Sequence, residues 1–383
     1  MRTFHSLSLP PRDREEAHRS STSLELMFDL ATATAVGVCS LVLVQDIKAN
    51  HVDQGIARFA SNFFMTWLAW ANYTWFASGY DNKSTAFRAV SMFIMFGSLT
   101  LAGGIQSSMA DRHQWLVLIG FSIMRIGMIL LWIGAAIGDR HVRPTAVRYI
   151  VGIAAMQVYW NTLIIMLPQQ APFYFLLFAL GAVGELMVPL VAERRGASNW
   201  HHDHIIDRYN SFNIIVLYES FASVALIISY APVPDFRHFW LAGLCSIIAF
   251  SMWGLYFDRH KQLRSRRPKT VFTWAYGHYF LFAGGAAMSA GIAIFLGSTG
   301  SGASVGKSAA LAIGVPVSMY LSALWLVRDR QSPLGSLRSL LLAVAGLVLL
   351  CSMFFPYALE WIAALLAISV FVRNRFYWAS PKS

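Results

Sequence analysis

Long apolar runs separated by short polar segments make up nearly all of the chain after Leu24. Each run is about 20 residues long, which is enough to cross roughly 30 Å of hydrocarbon. Only helices and closed barrels satisfy every backbone group in lipid, and uninterrupted runs of this length are typical of helices. The pattern predicts an all-α, polytopic integral membrane bundle of about twelve transmembrane helices. The predicted helices cover residues 24–44, 56–80, 86–109, 114–137, 145–167, 171–192, 205–230, 237–257, 272–296, 304–327, 334–354 and 356–372.

Polar tails flank this membrane domain, which we expect to cover residues 24–372. The tail at residues 1–23 lacks the short apolar core and the small-residue cleavage site of a signal peptide. We therefore expect the first span to be retained. The second tail covers residues 373–383.

Composition and charge agree with a membrane protein. Of the 383 residues, 56% are hydrophobic and 13% are charged, whereas soluble domains have about 25% charged residues. The formal net charge of +11 comes from basic residues between the apolar runs. Membrane topology and contact with membrane lipid explain these residues better than nucleic acid does, so no nucleic-acid partner is expected.

The distribution of basic residues predicts an orientation. Of the 30 Lys and Arg residues, 24 fall in the tails and in the loops that follow even-numbered helices, and five fall in the opposite loops. The remaining one, Arg125, lies inside the fourth predicted helix. Cytoplasmic loops of membrane proteins carry the excess of basic residues, so both termini are expected in the cytoplasm.

An internal repeat is suggested by matching positions in the two parts of the chain. Asp29 and Glu219 are 190 residues apart, as are Arg88 and His278. Six helices in each part would make the copies parallel repeats, with halves at residues 24–192 and 205–372. Chance similarity among apolar helices, which share a small alphabet, is the competing explanation.

Ionisable residues inside the apolar runs are the strongest functional signal. A charge at the bilayer centre costs at least about 2.5–3.5 kcal/mol, so such residues usually face a partner or a wet cavity. They include Glu219 within the apolar stretch from Ile205 to Tyr230. The full set of substrate or proton-coupling candidates is Glu219, Arg125, Asp29, Glu185, His278 and Glu25.

Depth along the helices predicts one ion pair. Glu219 lies about twelve residues beyond the cytoplasmic start of its helix, and Arg125 about twelve residues before the cytoplasmic end of its own, roughly 18 Å deep in both cases. A Glu219–Arg125 pair would lower the cost of burying either charge. It could act as a switch that protonation or an anion opens, or as a permanent structural bridge.

A second group of ionisable residues is predicted near the cytoplasmic helix ends. Asp29, Glu25, Glu185 and His278 could line a vestibule there, together with Asp207 and Arg208. Two close carboxylates suit proton exchange. For Glu25 the alternative is a cap at a helix N-terminus, where negative charge is favourable.

Metal and cofactor chemistry has little support in the sequence. Cys39, Cys245 and Cys351 all lie in predicted spans and form neither a disulfide framework nor a metal-ligand cluster. Residues 201–204 contain three histidines and one aspartate, but their tight spacing does not place three ligands on one helix face. We expect no metal site, no cofactor and no catalytic residue.

Two long motifs stand out in the chain. The first is Arg19-Ser-Ser-Thr-Ser-Leu-Glu25-Leu-Met-Phe-Asp29-Leu. The second runs from His204 through Tyr218-Glu219-Ser220. Both resemble the signatures of the bacterial low temperature requirement A (LtrA) family. The resemblance implies a multi-pass protein of the bacterial inner membrane. Its motif residues in this chain are His204, Asp207, Arg208, Ser220, Trp253 and Asp258.

Three functions remain open at this stage. A secondary transporter, or permease, would couple protons at buried carboxylates to a small polar or anionic solute. An intramembrane enzyme or lipid-handling protein would use the cytoplasmic-side acidic residues and histidines. A non-transporting scaffold or sensor would use the same charges only for structure. Transport is the favoured hypothesis, because no nucleophile or metal motif supports an enzyme.

Overall fold

The computed structural model describes residues 8–16, 19–108, 114–169, 171–196, 198–229, 235–257, 263, 265–299, 307–332 and 335–379. Within these ranges the chain forms α-helices and short 3-10 turns, and no strand. The helices are α1 (Ser23–Lys48), α2 (Val52–Tyr80), α3 (Thr85–Ser108), α4 (Gln114–Gly138), α5 (Arg143–Met166), α6 (Tyr174–Ala192), α7 (His202–Ser229), α8 (Phe236–Tyr256), α9 (Pro268–Thr299), α10 (Lys307–Val327), α11 (Leu340–Phe354) and α12 (Ala358–Ala379).

The predicted all-α membrane fold is confirmed. Twelve helices are present in the described ranges, in the predicted order, and ten of them are long and apolar enough to cross a membrane. The helices outside that group are α2, which carries polar residues such as Asn62 and Asn72, and α12, which carries Glu360, Arg373 and Arg375. Apolar runs therefore located the helices well, even where polar side chains interrupt them.

The helices group into two compact units. Unit 1 contains Met1–Val42 and Ile56–Ser211, and unit 2 contains Leu43–Gly55 and Phe212–Ser383. The boundaries fall inside α1, α2 and α7, and the first ten residues of α7 belong to unit 1. The repeat halves at residues 24–192 and 205–372 stay a prediction.

Unit 1 is held together by close helix packing and aromatic stacking. α3 and α4 approach closely at Gly104 and Gly120, where an added Cβ would overlap the backbone of the facing helix. Trp132 of α4 stacks on Tyr149 of α5, with ring centroids 4.1 Å apart and planes 7° apart. Small residues at helix interfaces allow this approach. α4 also packs on α5, which in turn packs on α6.

The described part of the N-terminal tail is packed against unit 1. The Leu9 N–H donates to the Gly134 carbonyl at 3.0 Å, and the Arg12 N–H donates to the Gly79 carbonyl at 2.9 Å. Gly138 has no Cβ, which allows the Leu9 backbone to lie against it. Residues 8–16 therefore cover the ends of α2 and α4.

Unit 2 combines a close helix pair with a buried charge cluster. α9 and α10 meet where Gly291 faces the Ala312 carbonyl. At the end of α10, the Arg328 guanidinium donates to the carbonyls of Leu255 and Tyr256 at 2.6 and 3.0 Å. Asp329 accepts from Arg328 and also from Arg373 of α12, so α8, α10 and α12 are joined by charge-assisted hydrogen bonds.

Candidate functional site

The first cluster of buried charges lies in unit 1, where α1 begins, α2 ends and α7 begins. We call its four residues Glu25, Asp29, His204 and Arg208 the α1–α7 cluster. Glu25 and Asp29 are four residues apart on α1, and His204 and Arg208 are four residues apart on α7. This spacing places each pair on one helix face. Two ion pairs result, one above the other, and all four residues are 0% exposed.

Asp29 and Arg208 form the deeper pair. Arg208 Nη2 donates to Asp29 Oδ1 at 2.7 Å, and the indole N–H of Trp70 donates to the same oxygen at 2.7 Å. Arg208 Nη2 also lies 3.4 Å from the Thr74 hydroxyl. Within the described part of the chain, Asp29 Oδ2 and Arg208 Nε and Nη1 have no hydrogen-bond partner. These three atoms are therefore available for further hydrogen bonds. Leaving them unpaired in a buried site costs free energy.

Glu25 and His204 form the outer pair, at the first turn of α1. His204 Nε2 lies 3.1 Å from Glu25 Oε1. Glu25 Oε2 accepts from the Thr22 N–H at 2.8 Å, and the Glu25 N–H donates back to the Thr22 hydroxyl at 3.3 Å. This reciprocal arrangement is a capping box. The capping alternative for Glu25 is therefore confirmed, although its carboxylate is buried and does not line an open vestibule.

The segment just before α1 closes the cluster from outside the membrane span. Asp207 Oδ2 accepts from the Ser21 N–H at 2.8 Å and from its hydroxyl at 2.6 Å. The Arg19 guanidinium donates to the carbonyls of Ala77 and Ser78 at the end of α2. Burial lowers the pKa of Arg19 to about 10. Asp207 is thus an anchor for the chain entering α1.

The second cluster is an ion pair between α4 and α6. Arg125 Nη2 donates to Glu185 Oε2 at 2.7 Å, and both side chains are 1% exposed. The indole N–H of Trp160 on α5 donates to Glu185 Oε1 at 3.0 Å. Arg125 also lies over the Phe121 ring, 5.5 Å from its centroid. Within the residues that the structure describes, Arg125 Nε and Nη1 have no hydrogen-bond partner.

The structure gives Arg125 a different partner from the one expected. The predicted Glu219–Arg125 pair is wrong, because Glu185 binds the guanidinium. Arg125 and Glu185 each lie eleven residues beyond the first residue of their helix, which puts them at one depth, about 17 Å along α4 and α6. The prediction measured depth from the cytoplasmic helix ends, and Glu185 is only seven residues from the end of α6, so Glu185 was assigned to the vestibule. In the structure, Glu185 does not belong with the vestibule residues as predicted.

A cleft opens in unit 1 near the starts of α4 and α6, the two helices that carry this pair. The space between its walls, counted together with the open solvent at its mouth, is about 360 Å³. Its walls come from the first half of α2, the start of α4, the end of α5 and the start of α6. The lining residues are Ser61, Asn62, Met65, Val117, Ile164, Gln169, Tyr174 and Phe178. Polar groups and aromatic rings share the lining, and none of these eight residues is charged.

Phe178 separates the cleft from the ion pair. It lines the cleft and packs on Trp160, with ring centroids 4.8 Å apart. Glu185 follows Phe178 by seven residues on α6, a rise of about 10 Å. The cleft is therefore linked to Glu185 through the packed rings of Phe178 and Trp160.

The other predicted residues lie elsewhere. Glu219 is half-buried on α7, and its neighbour Ser220 is buried. Trp253 is half exposed. Asp258 lies outside the described residues. His278 is fully buried in unit 2, where Nδ1 lies 2.7 Å from the Trp274 carbonyl and Nε2 lies 3.2 Å from the Tyr256 hydroxyl.

Two tryptophans were missed as site residues. Trp70 and Trp160 each donate an indole N–H to a buried carboxylate, Asp29 and Glu185 respectively. The sequence signal was an indole in the middle of a span, because a buried Trp N–H normally finds a partner. Sequence alone could not say which carboxylate that partner is. Among the described residues, no group of three or more His, Cys, Asp or Glu side chains could hold a metal ion.

The fold and these clusters define a multi-pass helical membrane protein with ion pairs buried inside its spans. The family model for the bacterial low temperature requirement A protein (LtrA) matches residues 20–372. The chain belongs to this family. A search of curated proteins found no match. The two motifs that suggested the family meet in space, because Glu25 and Asp29 of the first motif bind His204 and Arg208 of the second.

Proposed function

We propose that the protein is a secondary transporter, or permease, for a small polar or anionic solute, with proton binding at buried carboxylates as the coupled event. The observation that carries the proposal is the Arg125–Glu185 pair, buried halfway along α4 and α6, whose first turns line an open, partly polar cleft. Ionisable residues in spans commonly mark solute paths and proton relays. The bacterial inner membrane, with both termini in the cytoplasm, is the proposed location.

The α1–α7 cluster supports proton exchange. It contains two carboxylates and one arginine, so its net charge depends on whether His204 carries a proton. With His204 neutral, the four side chains carry a net charge of −1; with His204 protonated, they carry none. A proton taken up here removes an uncompensated buried charge, which gives the cluster a physical reason to bind one.

The test is solute uptake by the purified protein in vesicles. Labelled sugars, amino acids, carboxylates and organic cations are supplied under an imposed pH gradient, and internal pH is followed with a trapped dye. We expect one solute class to enter faster than in protein-free vesicles and to move protons. Intact protein that moves none of these solutes would contradict the proposal. Asp53→Asn, which removes an exposed carboxylate at the start of α2, is the matched control.

A structural role for the same pair is the second candidate, favoured by the near-complete burial of both side chains. Breaking a buried pair by removing one partner costs about 3–5 kcal/mol, whereas replacing both partners is often close to neutral. Arg125→Gln and Glu185→Gln are therefore compared with the double variant. If the bridge is only structural, the double variant recovers both thermal stability and uptake. If the pair is functional, it recovers stability alone.

A further inference from the structure

We propose that the transported solute is a small carboxylate, that Glu185 occupies its binding site on Arg125 in the resting protein, and that one proton enters with each carboxyl group. This inference rests on the proposed function and adds the substrate class, the coupling group and the access path. It is carried by contacts within unit 1.

The donors around Glu185 form a site for a carboxylate. Arg125 binds one carboxylate oxygen and Trp160 binds the other, at 2.7 and 3.0 Å. A guanidinium presents donors in a planar fork that matches the two oxygens of a carboxylate. Arg125 uses only Nη2 on Glu185, while Nε and Nη1 have no partner in the described part of the chain. The same guanidinium can therefore hold an incoming carboxylate.

Charge balance links the solute to a proton. While Glu185 is ionised, it neutralises Arg125, and a second carboxylate would leave the buried site with a net negative charge. When Glu185 takes up a proton, its bond to Arg125 weakens and Arg125 is left with an uncompensated positive charge. An incoming carboxylate restores neutrality. The loaded site then holds one proton on Glu185 and one carboxylate on Arg125, and its net charge equals that of the resting site.

In the described part of the chain, the charged and titratable groups nearest this site lie on α4, α5 and α6. Arg125 is the charged side chain that contacts Glu185 from α4. α5 contributes Tyr159, whose hydroxyl donates to the Leu177 carbonyl at 2.6 Å, and α6 contributes Tyr174 in the cleft. The residues of α2 that line the cleft are Ser61, Asn62 and Met65, none of which titrates. The proton is therefore assigned to Glu185.

The cleft is the access path. Its amide and hydroxyl groups, including Asn62, Gln169 and Tyr174, can hydrogen-bond a polar solute without fixing it by charge. The Gln169 Oε1 atom is buried and has no partner in the described ranges. Rotation of Phe178 away from Trp160 would open the cleft to Arg125. Phe178 is thus the gate that the geometry indicates.

The experiment uses the full chain in vesicles, with labelled pyruvate as the probe because its ionised form crosses bare lipid poorly. The wild type should accumulate pyruvate under an inward proton gradient, and a membrane potential alone should not drive uptake. Pyruvamide, which lacks the charge, should not compete. Arg125→Gln should lower the pyruvate rate at least about 30-fold, since a carboxylate would lose its buried charged partner.

Glu185→Gln separates coupling from binding. The glutamine resembles a permanently protonated Glu185, so this variant should exchange internal for external pyruvate but lose accumulation driven by the proton gradient. Phe178→Trp, which adds bulk at the gate, should slow both processes. The double variant Arg125→Gln/Glu185→Gln keeps the site neutral and should fold, yet it should not exchange pyruvate. Asp53→Asn should behave as the wild type.

The outcomes distinguish the two proposals. Uptake of a sugar or an organic cation, with no carboxylate transported, overturns this inference and leaves the transporter proposal standing. Absence of transport for every solute class overturns both. Pyruvate uptake by Arg125→Gln within about threefold of the wild type also overturns the inference, because the loss expected from a buried charged partner is far larger. If a well-folded Glu185→Gln variant does not exchange pyruvate, the assignment of the proton to Glu185 is wrong.

Discussion

At the residue scale, Asp29 and Arg208 are unequal partners. A carboxylate left without its counter-charge can take up a proton and become neutral, whereas a guanidinium cannot be deprotonated in a protein. Both side chains are fully buried, and Trp70 helps to hold Asp29. The cost of removing one partner therefore depends on which charge remains behind.

We expect Asp29→Asn to destabilise the protein more than Arg208→Gln does. The first change leaves an unpaired buried arginine, at a cost of about 3–5 kcal/mol. The second leaves Asp29 free to become protonated, so its cost is smaller. Thermal unfolding in detergent, with Asp53→Asn as the exposed control, measures both. Equal losses in the two variants would contradict the assigned asymmetry.

Asp81 gives a pH-dependent prediction outside the spans. Asp81 follows the last residue of α2. Several causes act on the pKa of its carboxyl group, and the largest of them, burial, raises it. A raised folded-state pKa means that the folded protein binds more protons than the unfolded chain. The stability from Asp81 is therefore present below its ordinary pKa and is lost as pH rises through the folded-state value.

Asp81→Asn should accordingly raise the melting temperature at neutral pH. The asparagine keeps an oxygen that can accept from the Lys83 N–H, as Asp81 Oδ1 does at 2.9 Å, and removes the buried charge. The difference from the wild type should shrink as pH falls toward the range in which Asp81 is protonated. Melting curves across this pH range, with Asp53→Asn run in parallel, provide the measurement. A difference that grows at low pH would have the wrong sign.

At the element scale, apolar periodicity found the helices but not their partners. Run length and polar breaks predicted all twelve helices of the described ranges, including α2 with its polar side chains. Which helices pack together depends on three-dimensional contacts that a single apolar pattern does not encode. Arg125 shows the consequence, because the depth argument paired it with Glu219, whereas the packing of α4 and α6 pairs it with Glu185. By contrast, the four-residue spacings within the α1–α7 cluster show from sequence alone that the two residues of each helix share one face. The sequence does not show that the two faces contact each other.

The close approach of α9 and α10 makes a prediction about glycine. Gly291 faces the backbone of Ala312, so an added methyl group would force the two helices apart. We expect Gly291→Ala to cost about 1–3 kcal/mol. Gly243→Ala is the matched control, because nothing lies within 4 Å of its added Cβ and alanine favours the helix. Thermal unfolding of both variants tests the packing, and equal stability would contradict it.

At the scale of the whole molecule, the distribution of basic residues predicts the orientation of the chain in the membrane. The tails and the loops after even-numbered helices contain 24 Lys and Arg residues, and the opposite loops contain five. This difference indicates cytoplasmic termini. Gln54, near the start of α2, would then face outward, and Arg140, between α4 and α5, would face the cytoplasm. Both residues are exposed. The cleft at the starts of α4 and α6 would open outward.

Single cysteines at Gln54 and Arg140 test this orientation in the membrane. They are placed in a background that lacks Cys39, Cys245 and Cys351, which are all buried. In intact cells an impermeant thiol reagent should label Gln54→Cys and should label Arg140→Cys only after lysis. The reverse pattern would invert the proposed orientation and would place the mouth of the cleft in the cytoplasm.

The separation of the paired charges along the chain also has a consequence for biosynthesis. Asp29 and Arg208 are 179 residues apart, and so are Glu25 and His204. At a translation rate of about 5–20 residues per second, the ribosome needs roughly 10–40 s to make the intervening chain. Both carboxylates therefore enter the translocation machinery before their counter-charges exist. During that interval they depend on protons, water or the insertion machinery itself, and unit 1 matures only when the start of α7 arrives.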